Sequence, residues 1–384
     1  MRKTDEEIRE ICEKNNVDRL WSWSRLNTYA NSPYEYFLKY VINAEEDRTD
    51  CVYPVMGGLA HSVIEKYYLG EIDRFAMESA FKDAWLSSIE ILELKFDRND
   101  EEKNKKIQDK YYKCLLHFFK NHKKLADKVQ IEQFVTVKIG NEIIQGYIDA
   151  CYKDENGNFN IIDWKSSSLY RGEKATKESG QLVIYALGLN QMGVPWNKIK
   201  IAWNFLKYVN VDCQQANGKT TTREVERSEI GNKLYNSVKM WAKKEGYTGE
   251  EPFMDKFLET NDLSCLPLSV QNHFKVRDCL VYIDLAEELV KHWTDFVQNT
   301  ISEIRDKEKQ YKQTGNEEIF FDDPEQVEKQ SYYFATLCSY SANKHKPYKK
   351  YLDRLEAESS LMTIGKPSSS SDNNDDDFDW LNGI

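Results

Sequence analysis

No apolar run in this chain approaches the roughly 20 residues that span a bilayer, so no membrane helix and no membrane partner are expected. The opening stretch MRKTDEEIREICEKNN lacks the apolar core of a secretory signal. Both absences lead to the expectation of a cytoplasmic protein. Among the eight cysteines, Cys12, Cys51, Cys114, Cys151, Cys213, Cys265, Cys279 and Cys338, there is no CxxC pair. That argues against a zinc ribbon and against a compact disulfide framework. Reduced, mostly buried thiols are the expectation. Positive charge is also in short supply. The formal net charge is −11, which is not the footprint of a protein that grips nucleic acid over its whole surface. The distribution of charge decides more than its sum.

The chain does have length and a core. Its 384 residues, 40% of them hydrophobic, suffice for one large domain or for a core with a helical companion. Residues 5–20, 24–41, 57–70, 74–96 and about 105–128 have the composition of helices. From 129 the pattern changes. FVTVKI, IIQGYIDACY and FNIIDWK are rich in β-branched and aromatic residues and read as strands. A helix is expected over 173–192, closed by Gly193 and Pro195. KIKIAWNFLKYVNVDC and TTTREVER read as a hairpin around Asn217-Gly218. Residues 226–247 and 276–315 read as long helices, with 248–275 irregular between them. The chain therefore divides into a helical part (1–128), an α/β core (129–225) with a mixed sheet, a mainly helical region (226–365) and an acidic tail (366–384) expected to be disordered.

Two basic stretches stand against the acidic balance. Residues 101–128 carry nine lysines and four acids, and Lys344, Lys346, Lys349, Lys350 and Arg354 form a second cluster. Each is either a phosphate-contacting surface or an ordinary solvated face. The tail places Phe378, Trp380, Leu381 and Ile384 among five aspartates.

The chemistry concentrates in IIDWKSSS, residues 161–168. Asp163 and Lys165 are two apart on a strand and share a face. A carboxylate and an ammonium among Ile161, Ile162 and Trp164 are costly to bury unless paired or bound to an ion. A triplet of this kind is common by itself. GYIDACY adds Asp149 on a neighbouring strand, joined through DENGN. A strict two-residue turn at Asn156-Gly157 puts Asp149 on the wrong face, opposite Trp164. A three- or five-residue loop, or a bulge, lets the two carboxylates converge beside one lysine, and that is the expectation. Carboxylate oxygens suit Mg²⁺ or Mn²⁺.

GYID, then IIDWKSS, then QLVIYA resembles the RecB-type branch of the PD-(D/E)XK nucleases, which includes exonucleases of CRISPR adaptation and phage recombination nucleases. The branch's S-R-L-x-x-Y segment followed by C-P is similar to Ser24-Arg25-Leu26-Asn27-Thr28-Tyr29 with Ser32-Pro33. Its G-x-x-x-H helix is similar to Gly57 through His61, with Glu65 one turn on, and its Q-x-x-x-Y helix to Gln181 and Tyr185. These marks occur in order over residues 24–185.

The resemblance implies a restriction-endonuclease-like α/β core, a central mixed sheet flanked by helices, with a helical C-terminal region. It implies metal-dependent hydrolysis of DNA, with Asp149 and Asp163 as acidic metal ligands and Lys165 as the catalytic lysine. The Trp164 carbonyl would add a ligand. His61 would bind or flank the metal, and Glu65 either orients His61 or pairs with a lysine. Gln181 and Tyr185 either contact the DNA backbone or pack helix on sheet. The implied role is exonuclease action on single strands or free ends, with structure-selective endonuclease action second, in recombination, replication or repair in a bacterial or phage-infected cell. Many relatives hold an iron–sulfur cluster through one early and three late cysteines. Here the early position is Ser32 and the late region SYYFATLCSYSANKHKPY has only Cys338, so no cluster is expected. A different class is a binding or scaffolding component on a nuclease fold. For it, residues 372–384 resemble the acidic tips of single-stranded-DNA-binding proteins. That tail recruits a replication or recombination protein, folds back over a basic groove, or merely solubilises.

Overall fold

Strand β3 (Glu142–Lys153) organises the sheet. The computed structural model describes residues 2–48, 51–97, 100–248 and 251–364. The expected acidic tail lies outside them. Along one edge β3 pairs antiparallel with β2 (Gln130–Ile139) over its whole length. Its other edge is shared. The two-residue β1 (Trp21–Ser22) pairs parallel at Ile144 and Gln145, and β4 (Phe159–Lys165) pairs antiparallel from Ala150 to Lys153. Between these contacts, residues 146–149 of β3 have no strand partner on this edge.

Strand β5 (Ile199–Gln214) runs parallel to β4 from Phe159↔Ile199 to Lys165↔Phe205. It then continues alone and pairs with β6 (Thr220–Glu226) from Tyr208 onward. The β5–β6 connection is the hairpin expected around Asn217-Gly218. A seventh strand, β7 (Phe274–Ile283), covers the far edge of β5 with a register slip between Asn204 and Val209. The result is a mixed sheet flanked by helices, an α/β restriction-endonuclease-like fold as expected.

Helices cover both faces. The Val52–Tyr68 helix buries Val52, Met56, Leu59, Ala60, Val63 and Ile64, a stripe of helical period. With the Met77–Trp85 and Glu101–Asn121 helices it packs on Ala150, Ile162, Trp164, Ala202 and Leu206 of the sheet. The opposite face, with Ile148, Cys151, Ile161, Ile201, Trp203 and Phe205, takes the Gly180–Gln191 and Glu287–Thr314 helices. The outer ends of β5, β6 and β7 form a third core with the Ile230–Lys244 and Pro252–Thr260 helices.

Three expectations need correction. Residues 276–315 are not one helix: β7 occupies 274–283 and the helix begins at Glu287. Backbone groups along the edge of β5 need partners, and β7 supplies them. The 248–275 stretch is not irregular throughout, since it holds the Pro252–Thr260 helix, with proline at its first position. The expected 24–41 helix breaks at Ser32, whose extended backbone precedes Pro33. Ser32 Oγ accepts the Glu35 N–H at 3.0 Å to start a new turn.

Candidate active site

The loop between β3 and β4 has five residues, Asp154 to Asn158. Asp154 Oδ1 accepts the N–H groups of Asn156 (3.0 Å) and Asn158 (2.9 Å), and Gly157 takes a positive φ of 77°. The register Ala150↔Ile162 and Cys151↔Ile161, carried one step further, sets Asp149 opposite Asp163. Strand pairing stops there. The Trp164 N–H donates instead to Asp149 Oδ2 at 3.1 Å.

Lys165 Nζ lies 2.7 Å from Asp163 Oδ2, on a carboxylate that is 6% exposed. Burial is the largest influence on the Lys165 ammonium and pulls it down, but the charge and hydrogen bond of Asp163, together with Tyr170 and Asp149, outweigh it and the net shift is upward. Asp149 moves the other way from a normal acid. Burial first, then the negative charge of Asp163, pushes it up to about 7 against the pull of His61 and Lys165. Two carboxylates that repel each other beside a single lysine form a place that favours a further cation.

His61 reaches the same place from the other face of the sheet. Its Nε2 lies 2.9 Å from the Trp164 carbonyl, to which it donates when protonated there. Its Nδ1 lies 3.5 Å from Asp149 Oδ2. Glu65 lines an adjoining cavity of about 300 Å³ with Gly57, Gly58 and His61. Gln181 and Tyr185 stand opposite, on the Gly180–Gln191 helix, where Gln181 Nε2 donates to the Tyr185 hydroxyl at 3.1 Å. A cleft of about 550 Å³ joins His61, Asp149, Lys165, Gln181 and Tyr185.

Two glycines make the closeness possible. A Cβ on Gly146 would meet Tyr185 Cε1 at 2.3 Å, and one on Gly180 would meet the Trp23 ring at 1.9 Å. Tyr185 therefore lies flat on β3, and burial raises its hydroxyl to about 12.

Glu132 and Arg2 are among the cleft residues that sequence reasoning missed. Glu132 on β2 falls opposite Asp149, between Ile131↔Ala150 and Gln133↔Ile148. Its φ is 49°, a left-handed backbone unusual for glutamate. Arg2 also lines the cleft, with its guanidinium 5.8 Å from the Tyr147 ring. Neither belongs to a recognisable motif, and the strain at Glu132 arises only in the folded sheet.

The two basic stretches are partly paired with acids. In the first, Lys103, Lys106, Lys110 and Lys120 pair with Asp97, Glu102, Glu226 and Asp262. In the second, Lys346, Lys349 and Arg354 pair with Glu317, Asp353 and Glu328.

Ser32 and Cys338 lie in one buried polar cluster. His345 Nδ1 accepts the Tyr348 N–H at 3.2 Å, so Nε2 carries the proton and donates to Ser32 Oγ at 3.0 Å. Asp322 Oδ2 lies 3.4 Å from the same nitrogen. Glu35 accepts the Ser339 N–H at 3.0 Å and the Tyr333 hydroxyl.

A family model of the PD-(D/E)XK nuclease superfamily matches residues 20–318, a span that holds all seven strands and the cleft carboxylates. The chain belongs to that superfamily, and its fold is that of a nuclease acting on nucleic acid. No curated protein matches the chain. No helix among the described residues is long and apolar enough to cross a membrane.

Nucleases of this superfamily generally use divalent metals such as Mg²⁺. Among the described residues, no three histidine, cysteine or acid side chains already converge as a ligand set. The donors nonetheless fit such an ion: two carboxylates that repel each other, a backbone carbonyl and an imidazole. Mg²⁺ commonly binds through one or two carboxylates and keeps several waters.

Proposed function

We propose that this chain is a Mg²⁺- or Mn²⁺-dependent deoxyribonuclease of the RecB-type branch. In this reading it acts as an exonuclease on single strands or free ends during bacterial or phage recombination, replication or repair. The observation that carries the reading is the Lys165–Asp163 pair with Asp149 opposite, opening on a cleft at the carboxyl end of β4.

Asp149, Asp163 and the Trp164 carbonyl would hold the ion, with His61 beside them. When bound, the ion supplies Lewis-acid polarisation of the phosphate and a more acidic water. The protein does the rest. Lys165 presents an ammonium, held charged by Asp163, toward the charge that develops on the phosphate. The Trp164 N–H anchors Asp149, so that its second oxygen is free for the ion. Gln181 and Tyr185 line the approach with an amide and a hydroxyl suited to backbone phosphates.

In this reading no iron–sulfur cluster is present. A cluster needs four thiolates, and in the early position stands Ser32, bonded to His345. The scaffolding alternative rests on residues 372–384, which lie outside the described residues. The complete Asp149, Asp163 and Lys165 set favours activity over it.

The test is end-labelled single- and double-stranded DNA incubated with the protein and Mg²⁺ or Mn²⁺, with EDTA and Asp163→Asn as controls. Metal-dependent shortening that Asp163→Asn abolishes supports the reading, and a ladder of terminal products supports exonuclease polarity. Equal DNA binding without any cleavage would sink it in favour of a binding platform.

A further inference from the structure

A second cavity, of about 260 Å³, opens just past the catalytic strand. It exists because β5 changes partners. Pairing with β4 ends at Lys165↔Phe205, pairing with β6 begins at Tyr208↔Glu226, and the register with β7 slips in the same interval. Lys207 falls inside this gap. The cavity is walled by Ser166, Ser167 and Ser168, which follow Lys165 directly, and by the rings of Tyr53, Tyr111 and Tyr208.

Lys207 is the unusual member. It is only 4% exposed, yet no carboxylate among the described residues pairs with it. The cavity's acid, Glu226, is taken by Lys110 at 2.9 Å and by the Ser228 hydroxyl at 3.1 Å. The Lys207 ammonium sits 4.0 Å from the centre of the Tyr111 ring and 5.8 Å from that of Tyr208. Aromatic faces offset part of the cost of burying an ammonium, but an unpaired charge in such a place favours an incoming anion. Tyrosine faces also stack nucleobases without regard to sequence. Pockets for drug-sized ligands run from roughly 300 to 1,000 Å³, so this one suits a single base and its phosphate, not a duplex.

We propose that this cavity receives one unstacked nucleotide of the substrate strand, with its base on the tyrosine rings and its phosphate on Lys207. The strand then passes over Ser166–Ser168 to the neighbouring phosphodiester at Lys165. A nucleotide must leave its stack to enter, which selects single strands and frayed ends over continuous duplex. The identity of the strand as substrate rests on the nuclease reading. The binding of a nucleotide does not.

The experiment is calorimetric titration of the full chain, in EDTA, with deoxyadenosine 5′-monophosphate, deoxyadenosine and inorganic phosphate. The monophosphate should bind, and the other two should bind about tenfold more weakly or not at all. Lys207→Gln should weaken the monophosphate by about tenfold. Ile107→Trp, which fills the cavity from its wall and leaves Lys207 in place, should abolish binding. No binding of the monophosphate, or undiminished binding by Ile107→Trp, overturns the proposal. So does undiminished binding by a folded Lys207→Gln. If melting shows that Lys207→Gln does not fold, Ile107→Trp decides alone. Because no cleavage is needed, a protein that binds the monophosphate in this way but never cuts DNA would keep this inference while the nuclease reading fails.

Discussion

Asp149 and Asp322 are both buried carboxylates beside a histidine, and burial is the first cause that pushes each of them up to about 7. Their surroundings then diverge. Asp149 has a second carboxylate across the strand gap, an ammonium nearby, and a cleft in front of it. Asp322 has a fully buried neutral histidine and a serine hydroxyl, and neither its side chain nor that of His345 is exposed at all. Burial drives His345 down to about 4, so it stays uncharged. One cluster concentrates charge at an opening. The other joins the C-terminal segment to the first helices with neutral hydrogen bonds. The residue types are nearly the same. A fixed lysine and access to solvent make the difference between a place for chemistry and a clasp.

That contrast can be broken from either side. Lys165→Ala should lower cleavage by on the order of 10³-fold and leave a folded protein, as read by a DNA cleavage assay alongside circular dichroism. His345→Ala should do the reverse. It removes a fully buried ring and strands Asp322 and Ser32, so denaturant titration should show a loss of about 2–4 kcal/mol. Cleavage per folded molecule should stay near wild type. Lost cleavage with unchanged stability in His345→Ala would erase the distinction between the two clusters.

Gly146→Ala tests the supporting geometry. The added methyl collides with the Tyr185 ring, so a loss of about 1–3 kcal/mol is expected, with a larger fall in cleavage than Gly180-distant surface changes produce. Relief by a second change, Tyr185→Ala, would show that the collision is the cause.

The smallest effect is in the pH dependence. Asp322 in the native state keeps its proton to about 7, whereas an unfolded aspartate loses it near 3.9. The native state therefore binds the extra proton, and this group's contribution to stability is lost as pH rises from 4 to 7. His345 works oppositely. It is neutral in the native state down to about 4 and charges below about 6.5 when unfolded, so its contribution is lost as pH falls through that window. Asp322→Asn removes only the first effect. Its stability relative to wild type should rise between pH 6 and pH 8 by about 1–2 kcal/mol. A constant difference would mean that Asp322 is ionised throughout.

The alternating strands and the convergence of Asp149 with Asp163 were legible because strand periodicity is two, but periodicity alone leaves open whether a three-residue loop, a five-residue loop or a bulge achieves it. β7 was not. Val276, Cys279, Leu280 and Ile283 follow helical spacing as well as they suit a strand, and only the unpaired edge of β5 decides between them. The His61 contact with the Trp164 carbonyl joins a helix to a strand 103 residues away, which no local pattern contains. Glu132 is invisible for a different reason: its left-handed backbone is imposed by the sheet. The clasp was half visible. The absence of cysteines at Ser32 was evident, but the histidine that meets it lies 313 residues later.

The facing of the two carboxylates does not depend on the five-residue loop that joins their strands. β3 is held in register by β2, and β4 by β5. A slip of one residue would turn the buried face of either strand to the wrong side, so a residue inserted after Glu155 would enlarge the loop and leave Asp149 opposite Asp163. The connection between the acids is the part of the hairpin most free to change its length, and their meeting is guaranteed by strands that carry neither of them.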